Sequence, residues 1–163
     1  MSGLRPLSIA LALAFIAMPS AVSGKTTTNT MTARLDVDTS CRLTTEPLAF
    51  GNVNIFTAQV DATARIQLRC GPAVAYSVAI DNGLNFNGQR RMFNGFGGWF
   101  AYVPYQIYRN AARNQVWGAT LATMVTGVTP ANGQVNLTAY GRVPSTIVLP
   151  RDYVDTVTIT VNF

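Results

Sequence analysis

The chain has 163 residues, with 12 lysines and arginines against 7 aspartates and glutamates, a net charge of +5 and no histidine. At 48% hydrophobic and 12% charged residues it is too apolar to be a disordered chain, and its length suits one well-filled domain rather than two. Without histidine there is no Ser-His-Asp or Cys-His catalytic set, two cysteines are too few for a zinc finger, and the small basic excess reads as a solubility charge; no metal, cofactor or nucleic-acid partner is expected.

Residues 1–24 read as a secretory signal. Arg5 supplies a positive start, Leu7 to Met18 an apolar run too short to span a bilayer comfortably, and Ala21, Ser23 and Gly24 the small residues of a cleavage site. Cleavage is expected near Ser23 or Gly24, and no long apolar stretch follows to anchor the chain. A threonine-rich stretch from Lys25 to Thr32 comes next, and residues 25–38 read as an extension ahead of a domain at 39–163.

In that extension Met31, Ala33, Leu35 and Val37 alternate with Thr32, Arg34, Asp36 and Asp38, the period of an extended strand with one apolar edge. The same face continues to Cys41. Ala64, Ile66, Leu68 and Cys70 alternate in the same way, so both thiols point inward. In an oxidising compartment the pair is expected to form a disulfide, closing a loop of about 30 residues that contributes roughly 3 to 4 kcal/mol through the entropy of the unfolded chain. The cysteines have no CxxC spacing, so a redox-active role is not expected.

Period-two alternation predicts strands over Pro47 to Phe56, Ala62 to Cys70, Val74 to Asp81, Trp99 to Tyr108, Gln134 to Val143 and Val154 to Phe163. Turn chemistry separates them at Asp81-Asn82-Gly83, Asn87-Gly88, Asn94-Gly95, Gly97-Gly98, Pro130 to Gly133 and Pro150 to Asp152. The one candidate helical turn is Asn110 to Asn114. Frequent turns between short strands predict an all-β antiparallel sandwich. The last predicted strand turns Val157, Ile159, Val161 and Phe163 to one side, with nothing after it to cover its edge. Either an ordinary sandwich with its own edge strands or one completed by a neighbour's strand fits this alternation.

The order of Cys41, Leu48-Ala49-Phe50-Gly51, Cys70, Tyr76, Ile80 to Gly83, Arg91-Met92, Tyr105 to Asn110, Trp117-Gly118, Tyr140 to Pro144, Asp152 to Val157 and Val161-Asn162-Phe163 resembles the spore coat U domain family. That family includes the pilins of archaic, Csu-type chaperone-usher pili. Asn110 stands where the family usually has aspartate, and Phe93 to Tyr102 looks longer than the usual loop.

The resemblance implies an incomplete immunoglobulin-like β-sandwich completed by donor-strand complementation. A periplasmic chaperone lends a strand to the groove beside the C-terminal strand. An outer-membrane usher then exchanges it for the extension of a neighbouring copy or related pilin subunit. The acceptor strand would present Val157, Ile159, Val161 and Phe163, and the donor anchors would be Met31, Ala33, Leu35 and Val37. After processing, roughly 17 residues precede Cys41, about 56 Å of extended chain, enough for one donor strand and a short lead. Leu35 and Val37 fit either the donor or the first strand of the domain. The product is a cell-surface pilus or coat layer reached through the periplasm.

Phe93 to Tyr108 is rich in aromatics, and Phe96, Trp99 and Phe100 form a candidate surface-binding loop. The alternative function is thus a secreted adhesin or carbohydrate-binding module. Trp99, Val103, Tyr105 and Ile107 share one face of the predicted strand, which assigns that face to the core. Arg90-Arg91 reads as a solvated turn, and Asp152 and Asp155 have no evident acid-base partner, so no enzyme is expected.

Overall fold

The computed structural model describes residues 30–35, 40–54 and 56–163. The expected signal segment at 1–24 and the donor position Val37 lie outside the described residues. The chain divides into two units, Met1–Asp36 and Val37–Phe163. In the first, residues 30–35 form no strand, and Met31 and Leu35 are 93% and 85% exposed.

The second unit holds β1 (Arg42–Thr45), β2 (Phe56–Thr57), β3 (Val60–Arg69), β4 (Ala75–Ile80), β5 (Arg91–Phe93), β6 (Tyr102–Pro104), β7 (Gln106–Tyr108), β8 (Val125–Val128), β9 (Gln134–Val143), β10 (Thr146–Ile147) and β11 (Ile159–Asn162). All pairings are antiparallel. One sheet runs β1-β3-β9-β7 and another β11-β4-β8, with the two-stranded ribbons β10-β2 and β5-β6 beside them. Ala64, Ile66, Leu68 and Ala139 of the first sheet share a core with Val78 and Ile80 of the second. Trp117 is fully buried in this core and donates its indole N–H to Val78 O at 2.9 Å.

Strands β3, β4 and β9 fall where alternation places them. Three expectations need correction. Of the strand expected over Pro47 to Phe56 only Phe56 lies in one, as the start of β2: after Glu46 donates its N–H to Arg65 O, Pro47 has no N–H to extend the ladder, and Gly51 at φ 74° turns the chain. The strand expected from Trp99 starts only at Tyr102, because Gly97, Gly98 and Phe100 all have positive φ. It then changes sheets. Tyr105 donates its N–H to Arg90 O while β6 pairs with β5 and β7 with β9. Finally, the ladder expected from Val154 begins at Ile159; Val154 itself forms only a bridge to Phe93.

The Asn110 to Asn114 segment is a turn closed by Arg113 N–H on Asn110 O at 3.0 Å. Strand β8 escaped the sequence reading because Gly127 interrupts it. A Cβ there would stand 2.6 Å from Tyr76 Oη, so the glycine lets the tyrosine pack over the strand.

Candidate strand-acceptor groove

The disulfide forms as expected between Cys41 and Cys70. It continues the β1–β3 register one step beyond the Arg42–Arg69 pair, so it fixes β1 to the end of β3. Leaving β1, the chain becomes a wall over residues 45–53. Leu48 and Phe50 lean inward from it. Both pass over Gly141 of β9, where a Cβ would lie 2.8 Å from each, and Phe50 packs edge-on against Tyr105 with ring centres 6.1 Å apart.

The segment leading into β11 forms the opposite wall. Tyr153, Val157, Ile159 and Val161 are half-buried against the core, whereas Phe163 is exposed. Strand β11 pairs with β4 from Ile159–Ile80 to Asn162–Ser77, and among the described residues no strand pairs with its other edge. Between the two walls runs a groove of about 480 Å³ floored by Ala64, Ile66, Ile80, Ile107 and Ala139. A second groove of about 680 Å³, reaching Val60, Val103, Val143 and Val148, shares Leu48, Phe50, Met92, Tyr153 and Val154 with the first. Core side chains thus form the floor of an open slot that ends beside an unpaired strand edge. Such an arrangement leaves backbone donors and acceptors to be met from outside.

Carboxylates pin the β11 wall in place. Asp155 accepts hydrogen bonds from Tyr105 Oη at 2.7 Å and from the Asn85 side chain at 3.0 Å. Gly83 must be glycine here, since a Cβ would collide with the Asp155 carboxylate. Burial, reinforced by Asp155, pushes the Tyr105 phenol well above its ordinary range. Asp81 accepts from the backbone N–H groups of Thr158 and Gly83, each at 2.9 Å. Burial opposes its ionisation, but these donors win and hold it below the usual carboxylate range.

Arg90 overturns the solvated-turn expectation. It is 2% exposed and donates to the carbonyls of Ile80 and Trp117 at 3.1 and 2.9 Å, to that of Asp81, and to Gln106 Oε1. Its charge ties together strand ends that would otherwise leave buried carbonyls unmet; burial lowers its pKa. Trp99 also departs from expectation. Val103, Tyr105 and Ile107 are buried, but Trp99 is 89% exposed because the positive-φ residues before β6 turn it outward. Phe96 is exposed with Arg151 4.5 Å over its ring, and Phe100 is partly exposed nearby in sequence. Sequence reasoning missed Leu48, Phe50 and Tyr153 as groove residues, although all three stand in the segments that carry the family resemblance. Among the described residues no cluster of acidic or cysteine side chains is arranged to hold a metal ion.

An antiparallel β-sandwich open along one edge, with a groove floored by buried core residues beside that edge, defines an immunoglobulin-like fold lacking a strand. The chain belongs to the Spore Coat Protein U domain family, whose model matches residues 27–160. Among solved structures, it is similar to a chain in the crystal structure of the CsuC-CsuE chaperone-tip adhesion subunit pre-assembly complex from archaic chaperone-usher Csu pili of Acinetobacter baumannii. The two are 24% identical with a TM-score of 0.58, the match covering 78% of the present chain and 40% of that chain. At this identity the likeness establishes the fold, and the present chain spans about two-fifths of the length of the one it matches. No curated protein matches.

Proposed function

We propose that the protein is a structural subunit of a chaperone-usher pilus, or of a related surface coat, and polymerises by donor-strand exchange. The observation that carries this reading is the unpaired edge of β11 beside a groove floored by the hydrophobic core. Pilin donor-strand complementation is a known case of such β-strand addition, in which backbone bonds supply the pairing and alternate side chains fill pockets. Met31, Ala33, Leu35 and Val37 supply the alternation. Burying Met31 and Leu35 contributes roughly 1.5 to 3 kcal/mol each, so an inserted strand leaves slowly. A periplasmic chaperone holds the groove first, and at an outer-membrane usher the extension of the next subunit replaces it. The family membership and the pre-assembly complex that shares the fold support these partners and a route through the periplasm to the cell surface. The role is structural and involves no catalytic step.

Ile159→Asp places a charge on the acceptor wall. It is expected to abolish the ladders of polymer that resist mild denaturation, while the oxidised monomer keeps its β-sheet circular dichroism. Normal ladders from this variant would overturn the reading.

The exposed rings of Phe96 and Trp99, 77% and 89% accessible, favour a second reading as an adhesin or carbohydrate-binding module. Trp99→Ser is then expected to lower retention on hydrophobic beads or glycan arrays several-fold with polymer length unchanged. Equal retention would leave the loop without that role.

A further inference from the structure

Side-chain size along the inward face of the β3–β9 ladder is uneven. In register order the inward pairs are Leu68–Val135, Ile66–Leu137, Ala64–Ala139, Ala62–Gly141 and Val60–Val143. Two adjacent pairs of small residues within a ladder of branched ones leave a depression, and protein interiors are packed to the density of organic crystals. At Ala62–Gly141 the depression is filled by Leu48 and Phe50, whose side-chain carbons stand 2.8 Å from where a Gly141 Cβ would be. Ala64 and Ala139, the other small pair, lie at the buried floor of the 480 Å³ groove beside the β11 wall, flanked there by Ile66 and Phe50.

We propose that the Ala64–Ala139 hollow seats one bulky apolar side chain of the incoming strand and so sets its register, and that this side chain is Leu35 of a second copy. The proposal deepens the strand-exchange reading and rests on it. Same-face residues of a strand recur every second position, so the neighbours of the seated side chain lie over the adjacent pairs. Those flanks are crowded by Ile66 on one side and by Phe50 on the other. They accept small or medium residues. Leu35 has Ala33 and Val37 at those positions, whereas Met31 has Ala33 on one side and the polar Asn29 on the other. Leu35 is the large side chain in the extension whose flanks match the relief of the floor, and it is 85% exposed in the free chain.

The test uses the full chain as a monomer and a labelled peptide of residues 27–39 as the incoming strand, reading peptide release. The parent peptide is expected to bind and leave slowly. Its Leu35→Ala form should leave roughly 30-fold faster or more, as for loss of a well-packed leucine side chain. The Met31→Ala form should change release only a few-fold. In the full chain, Ala139→Leu fills the hollow: it should exclude the parent peptide but accept the Leu35→Ala peptide. Equal losses for the two peptide variants, or full binding of the parent peptide to Ala139→Leu, would overturn the hollow while leaving strand exchange standing. Failure of the parent peptide to bind the unaltered chain would overturn both. If Ala139→Leu does not fold, the two peptide variants on the unaltered chain decide the matter.

Discussion

Strands β9 and β11 alternate apolar and polar residues with equal clarity, yet their surroundings differ. β9 pairs with ten residues of β3 on one edge and three of β7 on the other, whereas β11 pairs with four residues of β4 and, among the described residues, with none on its second edge. Alternation records which face of a strand is buried. It carries no information about edges, because backbone pairing is indifferent to the side chains that create the period. The closed ladder therefore serves as the scaffold, and the half-open strand as the place where another chain can join.

Truncation in each half measures this difference. Ile66→Ala empties a fully buried site on the closed ladder and is expected to lower the unfolding free energy of the full chain by about 2 to 5 kcal/mol, read by chemical denaturation. Removing the disulfide with Cys41→Ser follows, at about 2 to 4 kcal/mol, since it frees β1 and the wall that continues from it. Ile159→Ala, in the half-buried wall, should cost about 1 to 2 kcal/mol in the unoccupied chain. Its effect should grow toward that of Ile66→Ala once a donor peptide covers the groove; if the two truncations already match in the free chain, the groove is not open in solution.

Acid gives the smallest change. Asp81 has its pKa lowered in the folded chain, so its contribution is complete above the ordinary aspartate range and disappears as pH falls through the depressed folded value. Because its carboxylate holds Thr158 N–H, hydrogen exchange is expected to rise around Thr158 in that acidic window before the β3–β9 ladder opens. Simultaneous opening of both regions would show that the wall is no looser than the scaffold.

Much of the scaffold is legible in the sequence. Ile66 and Leu68 of β3, Val78 and Ile80 of β4, and Ala139 of β9 declare themselves by period, and the cysteines by their inward positions. The acceptor groove is only half legible. Its β11 wall alternates, but the wall containing Leu48 and Phe50 follows a proline and a left-handed glycine and has no period to read. Arg90 looks solvated because its charge is local, whereas the carbonyls that bury it converge from Ile80, Asp81 and Trp117, distant positions in the chain. Trp99 shares the parity of Val103 and Tyr105, but a run of positive φ breaks that parity. The hollow at Ala64–Ala139 exists only once the β3–β9 register is known.

The placement of the disulfide bears on mechanical behaviour. Tension applied to the chain ahead of Cys41 passes through a covalent bond into Cys70 at the end of β3, instead of peeling apart the four residue pairs of β1. The pull is then spread along the ten pairs that β3 shares with β9. A filament strung through these extensions would thus carry tension into the β3–β9 ladder without first unzipping β1.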